Sequence, residues 1–176
     1  GDKPEQVLKW INDAVAAEPT NPMPRQVLVD YQLRTRDFKA AATTAQAAVA
    51  AIPDNTDLLD RQARVQMASG DAQQAVSTFS RITQMRPTSA SAFVNLGEAQ
   101  MSANDLDGAA RAARRALELA PTAAPAQKLA VSVAVRQKRW KDAVAVARDM
   151  QTQQPKDASG YLIEGDIAAS DAAIER

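Results

Sequence analysis

Residues 116–121 read ALELAP, the last turn of a helix closed by a proline. Proline has no backbone N–H and its ring clashes with the preceding turn, so a helix does not run through it. AVAAEP, AVAAIP and ITQMRP close in the same way, and the prolines concerned are Pro19, Pro53, Pro87, Pro121 and Pro155. Successive members are always 34 residues apart. A stop signal at one fixed interval marks one structural unit copied along the chain.

The interval organises the rest of the sequence. Twelve residues before each later proline stand Ala41, Ala75, Ala109 and Ala143, with Val7 in the earliest copy. This small position is expected where paired helices lie closest, because a larger side chain would push them apart. Mid-unit turns read RDFKAA, GDAQQA, NDLDGA and KRWKDA. Asp37, Asp71 and Asp105 there suit helix starts, where a carboxylate accepts orphan amide hydrogens. Gly70 and Asn104 suit the left-handed end of the preceding helix. Between these signals the apolar residues keep a helical rhythm, as in Leu106, Ala109, Ala110, Ala113, Ala116 and Leu117.

Each unit therefore reads helix, turn, helix, proline. The expected fold is all-α, an α-solenoid wound as a right-handed superhelix of roughly ten helices. A single array fills 1–176. Residues 1–21 are the second helix of a truncated unit, 22–55, 56–89, 90–123 and 124–157 are full units, and 158–176 is the first helix of another. The chain is accordingly expected to be a segment of a longer array. Val7, Leu8, Trp10 and Ile11 near its start, and Ile163, Ile167 and Ile174 near its end, leave apolar surface that invites pairing.

The pattern resembles the tetratricopeptide repeat. Phe93, Leu96, Gly97, Ala109, Ala116 and Pro121 carry the match in the third unit, and Leu59, Ala63, Ala75, Phe79 and Pro87 in the second. Arg25 and Gln127 depart from its large-aromatic position, and Val29 and Val131 from its small one, which is expected to loosen packing in the first and fourth units. Residues 151–170, QTQQPKDASGYLIEGDIAAS, resemble the TPR-repeat lipoproteins of bacterial PEP-CTERM/exosortase systems. Gln151, Pro155, Gly160, Tyr161, Leu162, Glu164, Gly165 and Asp166 carry that likeness. It implies an exported, periplasmic or outer-membrane-tethered scaffold associated with exopolysaccharide. Membrane attachment would come only through an anchor outside this segment, since the chain has no cysteine. Two other placements stand beside it: the repeat region of a periplasmic polysaccharide-export subunit, and a regulatory domain cut from a larger enzyme.

Catalytic residues are not apparent. With no histidine and no cysteine, the commonest general base, metal ligand and nucleophile near neutral pH are missing. The NDLDG run at 104–108 lacks the later ligands of a calcium loop, and DNTDLLD at 54–60 reads as a helix start. No metal, cofactor or enzymatic activity is expected. Twenty-one basic residues balance twenty-one acidic ones, so no nucleic-acid partner is expected either.

What remains is a surface. By resemblance to peptide-binding arrays, the first helix of each unit supplies a concave wall that would hold a protein or peptide segment. Asp30, Arg34, Asp60, Arg64 and Met67 belong to it, followed by Asn95, Glu98, Met101, Lys128 and Leu129. Asp30, Arg64 and Glu98 recur one unit apart and have two readings, pairing with one another or contacting a ligand. Residues 111–148 hold nine basic residues against two acidic ones, which suits either a solvated outer face or an acidic protein or anionic polysaccharide. Trp140 reads equally as an exposed contact and as turn packing.

Overall fold

The computed structural model describes residues 4–174, with side chains from 5 to 170. Ten helices and no strand occur among the described residues. They are α1 (Pro4–Ala17), α2 (Pro22–Arg34), α3 (Phe38–Ala51), α4 (Thr56–Ala68), α5 (Ala72–Met85), α6 (Ala90–Ser102), α7 (Leu106–Leu119), α8 (Ala124–Arg136), α9 (Trp140–Gln153) and α10 (Ser159–Ile174). From α2 to α8 the even-numbered helices start 34 residues apart, and so do the odd-numbered ones from α1 to α9. All five periodic prolines lie in the turns that follow the odd-numbered helices.

The short turns are held by the residues the sequence singled out. Asp37 accepts from the Ala40 amide at 3.0 Å, Asp71 from Gln74 at 3.3 Å and Asp105 from Gly108 at 2.9 Å. Asp105 thus works as a helix cap in the NDLDG run. Asn55 caps α4 through the amides of Asp57 and Leu58, both at 3.0 Å. Gly70 and Asn104 have φ of 82° and 62°, the left-handed ending expected of them. The same place in the other units holds Arg36 and Lys138, also left-handed at 59° and 57°. Backbone hydrogen bonds override the side-chain preference there. The Asp37 and Arg139 amides that follow donate to Gln32 and Ala134 carbonyls at 2.9 and 2.8 Å.

The chain divides into two compact units, residues 1–85 and 86–176. In the first, Val29 of α2, Ala41 and Ala45 of α3 and Val65 of α4 form one buried cluster, with Leu33 packed on it. In the second, Val94 of α6 meets Ala109, Ala113 and Ala116 of α7 and Ala126, Leu129 and Val133 of α8. A neighbouring cluster joins Val131, Ala134, Ala143 and Ile167. Ile163 packs on this cluster too, so neither of these isoleucines contributes the apolar surface expected of it. Ile174 has its side chain outside the described residues. The four periodic alanines are all sealed from solvent, at 0 % exposure.

Two substitutions test this account. Ala109→Leu should cost about 1–3 kcal/mol, because overpacking forces a close helix pair apart; urea melts read it, and an unchanged midpoint would contradict the packing. Gly70→Ala should destabilise and Lys138→Gly stabilise, each by about 1 kcal/mol, since a β-carbon is penalised in the left-handed region. Nothing lies within 4 Å of a β-carbon built on Gly70, so a loss there reports the backbone alone.

Candidate interaction surface

In the first unit, α2 and α4 carry the expected wall residues. Arg61 donates to Asp30 through two nitrogens, Nε at 3.2 Å and a terminal nitrogen at 3.0 Å, and so ties α4 to α2. Arg64 reaches back one turn to Asp60 on its own helix. The recurrence of Asp30 and Arg64 therefore does not make them a pair. Arg61, one helical turn before Arg64 in the sequence, takes Asp30 instead. Asp30 and Arg34 line an open groove with Val27 and Leu33. Met67 is half-buried on α4.

The second unit brings more of the wall together. Glu98, Met101 and Ser102 of α6 face Ala124, Pro125, Lys128, Leu129, Ser132 and Arg136 of α8 across an open groove of about 490 Å³. Glu98, Lys128 and Arg136 stand on its rims. Met101 is half-buried and packs on the core beneath. Leu129, expected on the wall, is the floor. It is 4 % exposed, and a β-carbon on Gly97 would come within 2.5 Å of its Cδ2. Asn95 is half-buried on α6 and is not among the residues lining the groove.

The basic stretch is partly engaged within the protein. Arg115 pairs with Glu118 at 2.9 Å, Arg139 with Asp142 at 3.3 Å and Arg148 with Glu164 at 2.8 Å. The Arg115 guanidinium also lies 5.9 Å from the centre of the Phe93 ring. Trp140 is half-buried against the cluster of Val131, Ala134, Ala143 and Ile167, which makes it turn packing.

Known proteins share this architecture. A family model described as tetratricopeptide repeat matches residues 61–124 and 99–158, together more than half of the chain. The chain belongs to the tetratricopeptide repeat family. Solved structures agree in fold. MamA from Desulfovibrio magneticus RS-1, from its residue 41 to its end, superposes with a TM-score of 0.75 at 19% identity, covering 88% of each chain. TTC0263, a TPR protein of Thermus thermophilus, gives 0.71 at 18% identity, over 92% of this chain and 89% of its own. YrrB, described as a TPR protein with an unusual peptide-binding site, gives 0.73 at 16% identity, over 92% and 83%. No curated protein sequence matches the chain.

The departures from the tetratricopeptide repeat pattern have a structural answer. At the large-aromatic position, Gln127 is buried and donates to the Pro121 carbonyl at 2.9 Å and to Gln153 at 3.0 Å. Arg25, at the same position three repeats upstream, donates to the Pro19 carbonyl at 2.9 Å. Val29 and Val131 are buried. In the first and fourth repeats a hydrogen bond to the carbonyl of the turn proline thus stands where the third has an aromatic ring, and in the first the Arg25 Nε is buried without a hydrogen-bond partner. Residue types alone do not reveal this, because the acceptor is backbone.

Residues 151–170 hold α10 to α9. Gly160 is buried, and a β-carbon there would lie 2.8 Å from the Ala147 carbonyl oxygen. Glu164 accepts from Gln151 at 2.7 Å and from Arg148 at 2.8 Å. These bonds, the one from Gln151 first, hold its carboxyl below the ordinary value of 4.5. Asp157 accepts from the Ser159 amide at 2.8 Å, and that bond likewise lowers its carboxyl from 3.8. A lowered folded-state value means the ionised form favours the docked helix. Its contribution is therefore complete above the ordinary values and is lost as pH falls through the lowered ones. Hydrogen-exchange protection in α10, corrected for intrinsic rates, should decline below pH 4.5, and Glu164→Gln should remove part of that dependence. Protection that stays constant through this range would show that the carboxylates do not hold the helix.

Proposed function

We propose that the chain is a non-catalytic scaffold that holds an extended protein segment along the first helices of its repeats, with the α6–α8 groove as the principal contact. The observation that carries this is the composition of that groove. Met101, Leu129 and Pro125 offer an apolar seat, while Lys128 and Arg136 stand on one rim and Glu98 on the other. An apolar side chain fits the seat and an acidic neighbour complements the cations, with methionine adapting to the shape. Membership of a repeat family used widely for protein recognition supports the reading, as does the likeness in fold to a protein described as having a peptide-binding site. Affinity for one flexible segment should be modest, since ordering it consumes much of the contact energy.

The setting we propose is a bacterial PEP-CTERM/exosortase system associated with exopolysaccharide, with the chain exported and tethered outside the cytoplasm. The run from Gln151 to Asp166 supports it. Tyr161, Leu162, Gly165 and Asp166 in that run are exposed and unexplained by the packing of α10 on α9. Flanking sequence in the full-length protein decides the setting: a lipid-anchor motif favours it, an outer-membrane barrel points to polysaccharide export, and a catalytic domain points to a regulatory module. The basic stretch 111–148 is proposed as a second contact, for an acidic protein or anionic polysaccharide.

The groove is tested by titrating a panel of extended peptides that alternate apolar and acidic residues. Lys128→Glu with Arg136→Glu should lower the affinity of a binding peptide at least about tenfold, or about 1.4 kcal/mol. The same double change should bring no loss of helicity, because both side chains lie on the rim of the groove and outside the buried core. An unchanged affinity would move the site elsewhere, with the cleft lined by Arg114, Leu117 and Arg139 as the next candidate.

A further inference from the structure

We infer that the cleft between α7 and α9 takes the ring of a phenylalanine carried by an acidic protein segment. This rests on the reading of the basic stretch 111–148 as a second contact, and it decides between the two partners named there. The cleft encloses about 210 Å³ and lies wholly within the second unit. Ala110, Ala113 and Leu117 of α7, Ala130 and Val133 of α8 and Val146 of α9 give it an apolar lining. Pockets for small molecules hold roughly 300–1,000 Å³, so a space of this size suits a single side chain.

The other repeats show what such a place holds. One repeat before Ala113 stands Phe79, buried at 4 % exposure. Two repeats before Ala134, Asp142 and Val146, all of which line the cleft, stand Gln66, Gln74 and Thr78. These three join in a hydrogen-bonded row, Thr78 donating to Gln66 at 2.9 Å and Gln66 to Gln74 at 3.3 Å. In the third repeat the counterparts of the ring and of the central glutamine are both alanine, Ala113 and Ala134. A ring brought by a partner restores what the second repeat builds in. The charges at the mouth select the partner. Arg139 is shared with Asp142 at 3.3 Å, whereas the exposed Arg114 has no partner among the described residues. A carboxylate next to the phenylalanine therefore meets an uncommitted guanidinium. An anionic polysaccharide would meet the same cation, but its hydroxyls would lie against alanine and valine without hydrogen-bond partners, which is costly.

The test is calorimetric titration of the 176-residue chain carrying Lys128→Glu and Arg136→Glu, so that the α6–α8 groove takes no part. The titrants are an acidic peptide with one central phenylalanine, the same peptide with alanine in that place, and a polyuronate oligosaccharide. The phenylalanine peptide should bind at least about tenfold more tightly than the alanine one, as burial of a ring requires. Arg114→Glu should weaken it, and so should Ala113→Phe, which fills the cleft from within. Ala110→Ile fills it from the wall. Valine stands at that position in the second and fourth repeats, as Val76 and Val144, so this variant keeps its helicity even if Ala113→Phe overpacks α7 against α8. Equal affinity for the two peptides, or affinity that neither filling variant lowers, overturns the inference; the basic contact then still stands if Arg114→Glu weakens binding. Tighter binding of the polyuronate, lost in Arg114→Glu, also overturns it and gives the contact to polysaccharide. Binding of none of the three overturns the inference and the reading of the basic stretch together.

Discussion

Everything in this chain depends on how closely two helices can approach at one point in each repeat. Ala41, Ala75, Ala109 and Ala143 occupy that point and are completely buried. Alanine adds little volume and loses no side-chain entropy there, so it leaves room for the two helices to pack closely. The cores around it are consequently thin. Alanine and valine supply most of the buried clusters, and the few large side chains, such as Phe79 and Leu58, are thinly spread among the repeats. Stability is then assembled from many small contacts between sequence neighbours, as in other repeat proteins. What such a chain offers is surface, ridged by regularly spaced helices.

That surface is legible in the sequence to different depths. The prolines, the small position and the aspartate caps announce the helices, because each of these residues acts through its own backbone or its immediate neighbours. Left-handed Gly70 and Asn104 belong with them. Arg36 and Lys138 do not: nothing in their side chains favours that conformation, and only the spacing points to it. Of the residues expected on a wall of first helices, Glu98, Met101 and Lys128 meet at one groove. Depth is harder to see. Leu129 lies on the same helix as Lys128, yet the glycine opposite draws it down into the floor. A single turn of helix also separates Arg61 from Arg64, and only geometry says which of the two reaches Asp30.

The polar substitutions in the first and fourth repeats show a related economy. Arg25 and Gln127 stand where an aromatic ring is usual, and both send a nitrogen to the carbonyl of the proline in the turn before their helix. Proline cannot donate, and its carbonyl in a turn has no helical partner. In the second repeat, Arg81 meets the same need at Pro53 from the following helix, at 2.9 Å. At Pro19, Pro53 and Pro121 the breaker that ends the repeat thus creates an acceptor, and neighbouring side chains of differing kinds satisfy it. Family pattern and family fold separate here: the position is occupied by whichever group closes the turn.

The constant step has a consequence for how such a chain can change length. Removing residues 88–121 would join Pro87 to Thr122, and each cap, left-handed residue and buried alanine downstream would meet partners of the kind it has now. A loss of any length that is not a whole step would instead rotate an apolar stripe toward water and strand a cap away from its helix. Growth and shrinkage by recombination are therefore quantised in this architecture. The count of repeats can drift while their interior stays fixed.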